Sequence, residues 1–61
     1  MRPEVRQHLI ERLACLEREI GEAEARMLKL IPLHELSRLT EFVALLKFER
    51  DQIQAKLAAD G

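Results

Sequence analysis

The chain has 61 residues, 48% of them apolar and 34% charged, with a formal charge of -1, no Trp or Tyr, two Phe and one Cys. A chain this short buries a smaller fraction of its surface than a larger protein does and has room for one domain. Its near-neutral charge gives no global pull toward nucleic acid or an anionic membrane, and a lone cysteine excludes an internal disulfide.

Abundant Leu, Ala, Glu and Arg with few turn-forming residues is the profile of long helices, and it argues against a sheet. The first helix is expected to begin at Pro3, whose fixed φ and missing N–H suit a first helical position, with Glu4 near the positive end of the helix dipole. From there Leu9, Leu13, Leu16, Ile20, Ala23, Met27 and Leu30 recur at alternating spacings of four and three. That is a heptad seam, the strongest signal in the sequence. Beside it lie Ile10, Ala14, Gly21, Leu28 and Ile31, of which Ala14, Gly21 and Leu28 are seven apart. A glycine inside a helix costs about 1 kcal/mol relative to alanine, so Gly21 reads either as a tolerated surface residue or as a site of close approach by another helix.

The periodicity breaks at Leu30-Ile31-Pro32-Leu33, where proline removes a donor and disfavours a helical residue before it. Leu36, Leu39, Val43, Leu46, Arg50, Ile53 and Leu57 then form a second seam, out of phase with the first. Folding the chain at Pro32 matches the seams layer by layer. Met27 with Leu36, Ile20 with Val43, Leu13 with Arg50 and Arg6 with Leu57 have numbers adding to 63; Ala23 with Leu39, Leu16 with Leu46 and Leu9 with Ile53 add to 62. A kinked continuous helix pairing with a second chain would form the same layers between subunits. The expectation is an all-α single domain over residues 1–61, with a helix at about 3–30, a turn at 30–33 and a helix at about 34–59, stopped by Gly61. Two helices of about 27 residues would each be roughly 40 Å long.

Arg6 and Arg50 occupy seam positions near the open end. Their stems can cover apolar surface while the guanidinium groups reach water, or they can pair with Glu17, Glu49 or a carboxylate of another chain. Within the helices, Glu22 with Arg26, Glu35 with Arg38 and Lys47 with Asp51 are the spacings at which opposite charges meet. Glu17, Glu19, Glu22 and Glu24 form an acidic block around Arg18, read as a solvated face or as a surface for a basic partner.

Nothing in the pattern points to catalysis. There is no Ser-His-Asp or Cys-His order, no Gly-rich phosphate loop and no metal-ligand spacing, so no enzyme activity, cofactor or metal is expected. His8 and His34 fall at opposite ends of a hairpin. Cys15 sits at the edge of the seam between Glu11 and Glu19, a setting for a small packed residue and not for a reactive thiol. The longest apolar run, Phe42-Val43-Ala44-Leu45-Leu46, is far too short to span a bilayer. Charges at Glu4, Arg6, Glu11 and Arg12 interrupt any secretory signal core, so a cytoplasmic setting and no membrane partner are expected.

A hairpin has one seam, and its hydrophobic gain barely offsets the entropy of ordering it. Leu45 and Phe48 lie off the seam of the second helix, with Ala55 and Ala59 on their line and Phe42 at the seam's edge. With Ile10, Ala14, Gly21 and Leu28 of the first helix they imply a second interface, because monomer surfaces seldom hold contiguous apolar patches. The sequence therefore predicts an antiparallel two-helix hairpin dimerising into a four-helix bundle. In function it reads as a small interaction module that self-associates and acts as an adaptor or regulator of a partner protein. The alternative is a dimeric nucleic-acid-binding regulator that gathers Arg2, Arg6, Arg12, Arg18, Lys47 and Lys56; the lack of Tyr, Trp and any basic run weighs against it.

Overall fold

A computed structural model describes residues 1–60, so Gly61 and the helix stop expected there lie outside the described residues. The chain is all-α. Helix α1 spans Pro3–Met27 and helix α2 spans Leu33–Asp60, and they pack antiparallel in a rod of 44 × 14 × 12 Å. The chain reverses at the proline, so the seams meet within one molecule and not across a kinked continuous helix.

Pro3 opens α1 with no side-chain cap, and Glu4 lies in the first turn. At the other end α1 stops at Met27, three residues before the expected Leu30. The N–H groups of Leu28 and Lys29 donate to the carbonyls of Ala25 and Arg26, at 3.3 and 3.0 Å, which tightens the last turn. Among the described residues none takes a positive φ. Helix α2 begins directly after Pro32, whose carbonyl accepts from the Leu36 N–H at 3.0 Å. Proline thus fixes the start of α2. Residues 28–32 are left to carry the chain across the 8–10 Å that separates packed helices, and α1 gives up its last turn for this crossing. Leu30, expected to end the first seam, is fully exposed as a result.

The core is the predicted seam. Leu16, Ile20 and Ala23 of α1 and Val43, Leu46 and Ile53 of α2 are buried, and Leu9, Leu13, Met27, Leu39 and Leu57 pack against them. Among the described residues Leu16 is the one side chain with no exposure at all. A core this thin leaves every other face of both helices in water.

Candidate functional site: two unlike edges of the hairpin

Among the described residues five ion pairs join the two arms, and they define the two edges of the rod. Arg12 donates from Nε to Glu49 at 2.7 Å, and Arg26 pairs with Glu35 near the bend. The Met1 amine meets Asp60 at 2.9 Å at the open end. In each of these three pairs the residue numbers add to 61, as antiparallel arms require and within two of the 62 and 63 expected for the apolar layers. Arg6 also reaches Asp60, at 3.1 Å, and Lys47 reaches Glu24 at 3.0 Å.

The three pairings expected within single helices are replaced by these contacts. Arg26 turns from Glu22 to Glu35, and Lys47 turns from Asp51 to Glu24. Arg50 bonds Asp51, at 3.0 and 3.1 Å, and neither Glu17 nor Glu49. Each guanidinium or ammonium beside a seam has two helices within reach. The carboxylate across the groove was invisible to spacing rules confined to one helix.

Hydrogen bonding and charge from Arg12 hold the Glu49 carboxyl below the usual range, and the same contact raises the Arg12 guanidinium. Asp60 is held low chiefly by its hydrogen bond to the Met1 amine, with Arg6 adding to it. Asp60 ends α2 at the negative pole of the helix dipole, where a carboxylate is unfavourable. The two cations offset that position.

Phe42 lies seven residues from both Glu35 and Glu49, so it sits on the edge that carries the Arg26 and Arg12 pairs, midway between them. Leu45 and Phe48 continue from it around the outer surface of α2. Phe42 is 46% exposed, Leu45 69% and Phe48 65%.

The residues of α1 fall elsewhere. Ile10 is two heptads before Glu24, whose partner Lys47 marks the opposite edge. Ala14, Gly21 and Leu28 lie further outward on that same side and are exposed. A methyl group built on Gly21 would meet no atom within 4 Å, so the glycine serves no close approach inside the hairpin. The seven residues expected to share one interface are therefore split between two edges. Phe42, Leu45 and Phe48 are contiguous, whereas Ile10 and Leu28 are the only bulky side chains of their set and are separated by five turns of helix.

A further apolar group stands at the bend. Leu28, Leu30 and Leu33 are nearly or fully exposed. The signal for it in the sequence is Pro32, which marks the end of helical packing, whereas the spacing of Leu30 by itself still fits the seam.

The polar residues assemble nothing comparable. Among the described residues there is no pocket and no group of three or more potential metal ligands. Cys15 is half-buried, with its sulfur 3.8 Å from Arg18 Nη2. No helix among the described residues is long and apolar enough to cross a membrane. Of the six cations considered for nucleic-acid contact, Arg6, Arg12 and Lys47 are engaged by carboxylates of the opposite arm. Searches of family models, curated proteins and solved structures return no match to this chain.

Proposed function

We propose that this protein is a non-enzymatic helical interaction module, which self-associates and serves as an adaptor or regulator of another protein. The observation that carries the reading is the Phe42, Leu45 and Phe48 stripe, three large apolar side chains standing together in water on a molecule with a thin core. Fully burying such a side chain contributes about 1.5–3 kcal/mol. Covering the stripe is thus comparable with the whole stability of a domain this small. The charged surface does not offer a rival: half of the cations suited to a polyanion are neutralised within the hairpin. A cytoplasmic setting fits a free cysteine.

The test is the mass of the protein in solution over a range of concentrations, for the native chain and for the double variant Leu45→Glu and Phe48→Glu. The native chain is expected to associate and the variant to remain monomeric with its helical content retained. A native chain that stays monomeric at high concentration would overturn self-association as the module's basis.

A further inference from the structure

We infer that the Phe42, Leu45 and Phe48 face of α2 is covered by the same face of a second copy, with the two α2 helices antiparallel about a two-fold axis at Leu45. This rests on the proposed self-association and specifies its geometry.

Area gives the first argument. A folded monomer of 7.1 kDa is expected to expose about 4,100 Å², whereas this hairpin exposes 4775 Å². The excess, about 700 Å² per chain, follows from the rod shape. Burying it on both members of a pair would make an interface of about 1,400 Å², within the range of stable complexes. A second copy therefore supplies an area of the size that the single chain leaves open.

The pattern of the face gives the second. Phe42 and Phe48 lie three residues to either side of Leu45, so a two-fold axis there places Phe42 opposite Phe48 of the second copy and Leu45 opposite itself. An isologous contact requires this kind of self-complementarity. The opposite edge lacks it, since Ile10 and Leu28 are too far apart to form one patch and Ala14 and Gly21 add little bulk between them.

Charge selects the direction. Arg38 and Gln52 lie seven residues before and after Leu45, on its line, and Arg38 forms no ion pair among the described residues. Antiparallel helices bring Arg38 against Gln52 of the second copy and within one turn of its Glu49. Parallel helices would instead set Arg38 on Arg38, a like-charge contact, whereas the carboxylates meet one another in either direction, Glu41 on Glu49 when antiparallel and each on itself when parallel. Because the phenylalanines and the carboxylates flank Leu45 equally, Arg38 distinguishes the two directions.

Crosslinking of the full chain tests the geometry. In a Cys15→Ser background, Arg38→Cys and Gln52→Cys variants are prepared separately, mixed, and treated with a short bis-maleimide. The antiparallel pair predicts covalent dimers in the mixture and none from either variant alone, because equivalent positions lie about fourteen residues, or roughly 20 Å, apart along the helices. Solution masses are taken in parallel. Dimers that crosslink through Arg38→Cys alone, or in neither experiment, would overturn this arrangement while leaving self-association standing. A monomeric mass for the uncrosslinked protein would overturn both.

Discussion

Replacing Leu16 by alanine is the sharpest test of where the core lies. Among the described residues Leu16 is the only side chain with no solvent exposure, and it belongs to the core cluster with Ile20, Ala23, Val43, Leu46 and Ile53. Leucine-to-alanine changes in cores cost about 2–5 kcal/mol, the spread reflecting how far the surroundings close over the space left behind. Two helices with free outer faces can close more readily than a many-layered core, so the lower half applies, about 2–3 kcal/mol. For a domain of this size each kcal/mol moves the midpoint by roughly 4–8 °C. A drop of about 10–20 °C in Tm is therefore expected, read from the helical circular dichroism signal at several protein concentrations. Leu45→Ala is the control, because Leu45 is 69% exposed in the hairpin; in an isolated chain it should shift stability by no more than about 0.5 kcal/mol. A Leu16→Ala shift below about 4 °C, or one no larger than that of Leu45→Ala in a monomeric sample, would refute the assignment of the seam.

Gly21→Ala should stabilise the hairpin by up to about 1 kcal/mol, since it gains helix propensity at a position where the added methyl meets open space; a lowered Tm would show that Gly21 is closely covered by another molecule. Glu49 and Asp60 have folded pKa values depressed by Arg12 and by the Met1 amine with Arg6, so the unfolded chain binds protons first as pH falls. Their stabilisation is present above the unfolded carboxylate values, about 4, and is lost as pH drops through the lower folded values. Acid titration of the melting midpoint should fall in that window, with a smaller fall in Glu49→Gln; an unchanged acid limb in that variant would exclude the ion pair as a contributor.

Much of the fold was legible because a heptad repeat fixes the buried direction of each helix without reference to the other. Leu16, Ile20, Ala23, Val43, Leu46 and Ile53 are buried where their spacing places them. Leu30 shows the limit of that logic. Its spacing continues the seam, but reversal at Pro32 requires the chain to leave the helix after Met27, and periodicity carries no information about the span a turn must cross. The charges show a second limit. Arg26 and Lys47 each have an acceptable partner four residues away, yet both reach across to the other helix. A choice between two attractive carboxylates depends on distances that only the packed pair defines.

The apolar stripe is the instructive case. That Phe42, Leu45 and Phe48 stand off the seam follows from the period of an α-helix, and so does the shared line of Ala14, Gly21 and Leu28. Amino-acid spacing thus determined two amphipathic helices, their antiparallel register and the presence of apolar residues outside the core. Only the tertiary structure decided that these residues belong to opposite edges, one marked by the Arg12 and Arg26 pairs and the other by Lys47 and Glu24. The physical reason is that a helix repeats about its own axis. Which flank of one helix adjoins which flank of its neighbour is a property of the pair, set by how the packed helices bring side chains together across the groove.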